Sequence, residues 1–471
     1  MTTARLAAVL LVILGGLAAP PALAQPADFS VVAKPLLGAV VNISSERKLH
    51  KSEQTPPIPL PPPFDELIPQ VPDGQDQPSA RGVALGSGFL IDPAGYVVTN
   101  NHVVEDAETI TVVLHDQREL RARIVGRDAR TDLALLKVDS SEPLPAVGWG
   151  NSEDVAVGEW VLAIGNPFGL GGTVTAGIIS ATARDIGAGP YDAFLQTDAS
   201  INRGNSGGPM FNMKGQVIGV NTAIFSPTGG SIGIGFAIPS SLARPVIEQL
   251  RNGGEVKRGW LGVAIQPVSR DIADSLGLSQ AAGVLVAEVS KGGPADKAGV
   301  RVGDIILRFN GHPVDDSHRL PRMVADTAIG STAEITVFRD GREQSLIATV
   351  ARLEAQGLKS ERHRESTTAE PGSLGLTLAP LTAETRSELG LEAGATGVLV
   401  RGVEPGSDAA ARGIEPGDVV QMVDQHAVTT PQDVRHLLES ARQAKRASVL
   451  LLLRHGDGSR FVALPLTVAG K

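Results

Sequence analysis

At 471 residues the chain is long enough for about three domains, and its formal net charge of −9, with no basic run, argues against a nucleic-acid binder. Hydrophobic residues at 42% and charged residues at 20% describe an ordinary globular protein, and with aromatics at 3% its cores must be built from Val, Leu, Ile and Ala. The lack of cysteine excludes a disulfide framework, a lipidated N-terminal cysteine and cysteine-based metal or nucleophile chemistry.

Residues 1–24 read as a cleavable secretory signal. Arg5 supplies the positive end, an apolar stretch of 14 residues follows at 6–19, and Ala22-Leu23-Ala24 supplies the cleavage site before Gln25. That stretch is short of the roughly 20 apolar residues a membrane span needs, so the expected product is exported and not transmembrane. Residues 28–43 predict a short amphipathic helix leading into a first strand. Residues 44–80 carry a dense proline cluster, TPPIPLPPPFDELIP, which predicts a long surface loop.

From Val83 to about Ile247 the text is a series of short β-runs broken by Gly, Asn and Pro, such as VALGSGFLI, YVVTN, DLALLKV and QVIGVNTAI. This spacing predicts a barrel or sandwich, closed by a helix at 240–251. The remainder repeats itself. GVLVAEVSKGGPADKAGVRVGDIILRFNGHPV begins at Gly283, and GVLVRGVEPGSDAAARGIEPGDVVQMVDQHAV begins at Gly397, an ungapped offset of 114. Two copies are too few for a solenoid, so they predict two small separate domains joined by the charged segment 354–371.

The chemistry centres on Gly204-Asn205-Ser206-Gly207-Gly208-Pro209. Glycines around one serine leave an exposed hydroxyl with backbone N–H groups beside it, the arrangement acyl transfer needs. A Gly-rich turn with an incidental serine is the bland alternative, so a base and an acid must be found. Of nine histidines, six (His312, His318, His363, His426, His436, His455) lie in the repeats or their linker, His50 lies in the proline-rich loop, and His115 sits at a hairpin tip. His102 alone directly follows a β-run, in GYVVTNNHVV. Asp132, at the mouth of the strand in RTDLALLKV, is the candidate acid, where a carboxylate would need a partner. The stretch around Ser206 also matches the nucleophile elbow G-x-S-x-G, but that fold places its acid and histidine after the serine. The order His102, Asp132, Ser206 is that of chymotrypsin.

TNNHVV, RTDLALLKV and GNSGGP, followed by twin C-terminal repeats, resemble the Deg/HtrA family of serine proteases over essentially the whole mature chain, and most of all its periplasmic members with two PDZ domains. The resemblance implies a mainly β protein, a chymotrypsin-like double β-barrel followed by two PDZ domains. It divides the chain into a protease domain at 25–253, a first PDZ domain at 258–353 and a second at 372–470. It implies homotrimers or multiples of trimers, action on misfolded or unfolded envelope proteins in the periplasm, and an ATP-independent enzyme with no metal or other cofactor. By that match His102 is the general base, Asp132 holds its tautomer, Ser206 is the nucleophile, and the N–H groups of Gly204 and Ser206 form the oxyanion hole with Asn205 between them.

Two departures from digestive enzymes of the same order carry information. Asn205 stands where those enzymes have an Asp that pairs with a newly cut N-terminus, so switching is expected from loop ordering at 184–191 and 225–235 instead. Six residues before the nucleophile stands Ser200, followed by Ile201, so a small apolar specificity pocket is expected, favouring cleavage after Val, Ala, Ile or Leu. Before the first repeat, Arg258 and then Gly259-Trp260-Leu261-Gly262-Val263 resemble the PDZ carboxylate-binding loop, which captures the C-terminus of a hydrophobic peptide added as a strand. The facing helix is expected at 320–327. In the second copy Ser373-Leu374-Gly375-Leu376 and a helix after Pro431 occupy the same places, and peptide binding and a purely structural role are equally open there. The rival to a protease is a holding chaperone or binding scaffold with secondary protease activity.

Overall fold

The computed structural model describes residues 28–48, 81–166, 172–202, 204–224, 231–278, 280–354, 375–392, 394–444, 446–456 and 458–466. The leader expected at 1–24, residues 49–80 of the proline-rich segment, residues 225–230 of the second expected switch loop, 355–371 of the linker, and Ser373 and Leu374 lie outside the described residues.

The expected N-terminal helix is α1 (Ser30–Leu36), and a single turn then leads into the first strand. Two closed antiparallel barrels follow. The first contains β1 (Val40–Lys48), β2 (Arg81–Asp92), β3 (Tyr96–Thr99), β4 (Thr109–Val113), β5 (Glu119–Asp128) and β6 (Leu133–Val138), in the order β1-β2-β3-β6-β5-β4. The second contains β7 (Trp160–Gly165), β8 (Thr173–Arg184), β9 (Phe194–Thr197), β10 (Pro209–Asn212), β11 (Val217–Ile224) and β12 (Gly235–Pro239), in the order β10-β11-β12-β9-β8-β7. One boundary moves. Residues 44–48 do not open the loop but continue β1, where Lys48 pairs with Arg81 across the ladder. The polar text SSERK hid a strand whose backbone bonds are supplied by residues beyond the prolines.

The barrels are joined by strands that bury both faces. Leu133, Ala134, Leu135 and Leu136 are all fully buried, because Ala134 and Leu136 fill the first barrel while Leu133 and Leu135 pack with Leu162, Ile164, Phe211 and Val220 of the second. This is why DLALLKV reads as a continuous apolar run and not an alternating one. Helix α3 (Ser240–Gly253) lays Ala243, Val246, Ile247 and Leu250, spaced for one helical face, on the same joint. It ends at Gly254 with φ +70°, a left-handed cap.

Each repeat forms its own antiparallel sheet. The first runs Val263–Pro267, Val284–Val289, Ile305–Phe309, Thr332–Arg339, Arg342–Thr349, and the second runs Leu376–Pro380, Val398–Val403, Val419–Val423, Ser448–His455, Gly458–Pro465. The helices facing the first strands are Arg319–Asp326 and Pro431–Gln443. The shared Gly-Asp motif has a structural use. Asp304 is buried and receives two hydrogen bonds of 2.6 Å from Arg339, and the equivalent Asp418 is held by His455 at 2.7 Å and Arg460 at 3.4 Å.

Polar and apolar contacts tie these units together. Arg258 pairs bidentately with Asp128 at the end of β5 (2.8 and 2.6 Å), both side chains being under a tenth exposed, and its guanidinium lies 4.8 Å from the centre of the Tyr191 ring. His318, at the start of the first facing helix, meets Asp185 of the β8–β9 loop at 2.7 Å, and Arg322 donates to the Asp192 carbonyl at 3.3 Å. A cleft of about 530 Å³ lies beside these contacts, between α3 and the helix Arg319–Asp326. The two repeats share one buried cluster, in which Ile272, Leu285 and Ile305 meet Leu450, Leu452 and Phe461. Gln266 exchanges side-chain bonds with the Phe461 backbone at 3.1 and 2.7 Å.

Arg258→Ala leaves the Asp128 carboxylate buried without its cation, a change expected to cost about 3–5 kcal/mol. Urea unfolding followed by Trp fluorescence checks this, and an unchanged midpoint would show that the pair contributes nothing.

Candidate active site

His102 is the second residue of α2 (Asn101–Val104), a single turn that follows β3. Val103 and Val104 bury their side chains beneath that turn, and the His102 side chain is left 45% exposed. Asp132 precedes β6 and has φ +53°, an uncommon region for a residue with a side chain and one that Asp tolerates better than most. Its carbonyl is fixed by the Asn101 N–H at 3.1 Å and the Asn100 side-chain amide at 2.9 Å. Held this way, its carboxylate turns to the histidine, accepting from the His102 backbone N–H at 3.0 Å and from Nδ1 at 2.8 Å. An ionised carboxylate only accepts, so Nδ1 carries the proton and the neutral ring presents Nε2 as an acceptor. The Asp132 hydrogen bond holds His102 above its ordinary pKa, against the opposing effect of partial burial and with further help from the Asp132 and Glu105 charges.

Ser206 lies in the turn before β10 of the second barrel. Gly204 and Gly207 have φ of +98° and +84°. A Cβ at Gly207 would stand 2.3 Å from both the Ser87 carbonyl and the Thr99 hydroxyl, so only glycine fits there. The turn is tied by Asn205 N–H to the Asn202 carbonyl at 3.0 Å and Gly207 N–H to the Asn221 carbonyl at 2.8 Å. Among the described residues the N–H groups of Gly204 and Ser206 have no acceptor. The Ser206 hydroxyl donates to the Thr222 carbonyl at 3.4 Å. Asn205 and Ile201 are buried, at 2% and 1% exposure. The Asn205 side chain packs against Gly165, and Ile201 lies under Gly235 with Ala163, Ala199 and Ile224 around it.

Thr222 went unread in the sequence. It is the extra residue of a β-bulge in β11, between the pairs Asn221–Ala237 and Ala223–Phe236. The bulge points its hydroxyl at Asp132 Oδ2, 2.7 Å away, while its carbonyl receives Ser206. Nothing in the text NTAI signals a bulge, since the run alternates as a plain strand would.

In the first repeat, Gly259 pairs with Arg352 and Trp260 with Ala351, and a Cβ at Gly259 would sit 2.1 Å from the Val324 carbonyl of the facing helix. Leu261 is buried in the core, and the Trp260 ring lies over Gly262, whose φ is +81°. Val263 opens the strand Val263–Pro267, which stands at the end of its sheet beside that helix. The β8–β9 loop expected to switch touches this repeat through His318. Burial alone would raise the Asp185 carboxyl, but the Gly187 N–H and His318 hold it below its ordinary value, while burial pushes Asp192 up. Among the described residues no three His, Cys, Asp or Glu groups stand close enough to hold a metal, and no helix is long and apolar enough to cross a membrane.

Comparison with known proteins agrees with this arrangement. The trypsin-like peptidase domain family matches residues 86–220, and PDZ domain families match 259–350 and 364–453. The chain is 48% identical over 395 residues to a probable periplasmic serine endoprotease DegP-like of Rhizobium meliloti, an alignment covering 82% of this chain and 76% of that one. It is 41% identical over 456 residues to the corresponding protein of Rickettsia conorii, covering 93% and 89%. Among solved structures it is similar to the HtrA-type protease AlgW with a decapeptide, at 40% identity and TM-score 0.59, covering 70% of this chain and all of that one.

The His102–Asp132 contact sets its own test. In an NMR titration His102 is expected to deprotonate above the ordinary imidazole range, and Asp132→Asn to bring it down. Equal values in the two chains would mean that the bond does not form in solution.

Proposed function

Given that the chain belongs to the DegP-like serine endoproteases, and so is a serine endopeptidase, we propose that His102, Asp132 and Ser206 are its catalytic triad and that it degrades misfolded proteins of the periplasm. The observation that carries this is the His102 ring, held by Asp132 with Nε2 turned outward to accept, in the same site as a serine loop whose Gly204 and Ser206 N–H groups have no acceptor among the described residues. Ser206 Oγ attacks the scissile carbonyl as its proton passes to Nε2. Asp132 stabilises the imidazolium, and the two N–H groups stabilise the tetrahedral oxyanion. His102 then returns the proton to the leaving amine. In the resting chain Ser206 bonds to the Thr222 carbonyl, so the reaction begins with a rotation of the serine side chain toward the ring.

Ile201, buried beneath the loop, closes the floor of the specificity pocket and supports cleavage after small aliphatic residues. The first PDZ domain supplies an edge strand and the loop Gly259–Val263 for a hydrophobic C-terminus, and the relative AlgW is known with peptides bound. Export rests on the leader reading of residues 1–24 and on the periplasmic naming of the relatives. The Phe29 ring packs on Trp160 at 5.1 Å, and within three residues of that pair Val31, Val157 and Trp160 itself are 74%, 62% and 47% exposed. A patch of this kind supports a protein–protein contact at this end of the chain, and the trimer is what the family resemblance implies for it.

The mature protein is expected to degrade β-casein, with cleavage after Val, Ala, Ile or Leu, and Ser206→Ala to abolish it. Preferred cleavage after Lys or Arg would sink the pocket assignment, and aggregation suppressed without any cleavage would favour the holding chaperone. Because protonated His102 cannot accept the serine proton, kcat/KM should fall with decreasing pH already above the ordinary imidazole range. Sedimentation equilibrium is expected to give a trimer or a multiple of it, and Trp160→Glu to give monomers.

A further inference from the structure

Ser87 belongs to β2 of the first barrel, within the Gly86-Ser87-Gly88 stretch, and is fully buried. Three of its four polar contacts go to the second barrel. Its backbone N–H donates to the Ser206 carbonyl at 2.8 Å, and its hydroxyl donates to the Gly204 carbonyl. The same hydroxyl accepts from the Asn166 N–H at 2.8 Å, and Asn42, from neighbouring β1, donates to the Asn166 carbonyl at the same distance. Its own carbonyl accepts from Thr99 at 2.8 Å and closes on Gly207. The flanking glycines make the approach possible. A Cβ at Gly86 would come within 2.7 Å of Val103, and one at Gly88 within 2.8 Å of the Val98 carbonyl.

Ser87 therefore grips the nucleophile loop at two carbonyls, Gly204 and Ser206, the same two residues whose N–H groups have no acceptor among the described residues. We infer that Ser87 is a positioning residue for oxyanion stabilisation: its hydroxyl anchors the Gly204–Asn205 peptide through the Gly204 carbonyl, its N–H anchors the Ser206 carbonyl, and the two holds together fix the loop residues from which the Gly204 and Ser206 N–H groups point to the substrate oxyanion. Gly204 has no side chain to restrict φ and ψ, so without that anchor the residue can turn about its Cα and swing its N–H, which belongs to the preceding peptide, out of line. The inference rests on the endopeptidase reading in which Gly204 and Ser206 supply the oxyanion donors. It assigns to a residue of the first barrel, remote in sequence from Ser206, control over transition-state binding.

The test uses the full mature chain. Ser87→Ala is expected to lower kcat on a chromogenic peptide ending in valine by about tenfold to a hundredfold, less than the roughly hundredfold to thousandfold of a removed oxyanion donor because the donor is displaced and not deleted, with KM within about twofold. Affinity for a valine boronic acid, which mimics the tetrahedral state, should fall by the same factor, while the acidic limb of the pH profile stays in place. Ser87→Thr, which keeps the hydroxyl, should restore kcat. A folded Ser87→Ala with wild-type kcat and boronate affinity overturns the inference, even where its melting temperature falls. Should the alanine chain not fold, Ser87→Cys keeps the volume with a weak donor and carries the same expectation. Wild type no more active than Ser206→Ala would instead overturn the endopeptidase reading, and this inference with it.

Discussion

The Asp132 carboxylate is where the two barrels meet chemically. It accepts from His102 of the first barrel and from Thr222 of the second, and its backbone is locked by Asn100 and Asn101 in a left-handed conformation. Neither barrel alone can hold the site. In the proposed triad the first supplies His102 and Asp132, the second supplies Ser206 and the Gly204 and Ser206 N–H groups, and their relative placement is set by strands buried on both faces. Leu133 and Leu135, directly after Asp132, pack against the second barrel, so the acid is pinned at the joint by the same residues that weld it. Close-packed interiors have low compressibility, which keeps the distance between the two half-sites constant.

Much of this was legible in the sequence, and for identifiable reasons. His102, Asp132 and Ser206 stand at strand ends, where short motifs mark a change of chain direction, and their order excluded the other folds that use the same residues. The repeats were visible because backbone turns demanded glycine at the same places in both copies, as at Gly299 and Gly413, each at positive φ. Thr222 was hidden because a bulge is a matter of register, decided by the partner strand. Arg258 and Asp128 were hidden because their pairing spans 130 residues, and a charged residue read along the chain defaults to the surface. The strand at 44–48 was missed because its text is polar and its partner lies beyond the prolines.

Arg258 has a position that neither domain explains by itself. It immediately precedes the Gly259–Val263 loop, yet its guanidinium is enclosed by Asp128 of the first barrel and the Tyr191 ring of the β8–β9 loop. Asp128 in turn accepts from the Thr131 N–H at 3.2 Å and from its hydroxyl, one residue before Asp132. A chain of buried polar contacts therefore runs from the start of the first repeat to Thr131, the residue before Asp132. Buried networks of this kind are costly when half-satisfied, so their members move together or not at all.

The cluster shared by the two repeats changes what each of them is as a thermodynamic object. Leu285 and Ile305 of one complete the cover over Leu450, Leu452 and Phe461 of the other. Opening either repeat exposes the apolar face of its neighbour to water, so the two melt as a single cooperative unit. Free energy gained by a ligand in one groove is then held in common by both, and protection against unfolding extends across the whole tandem from a single occupied end.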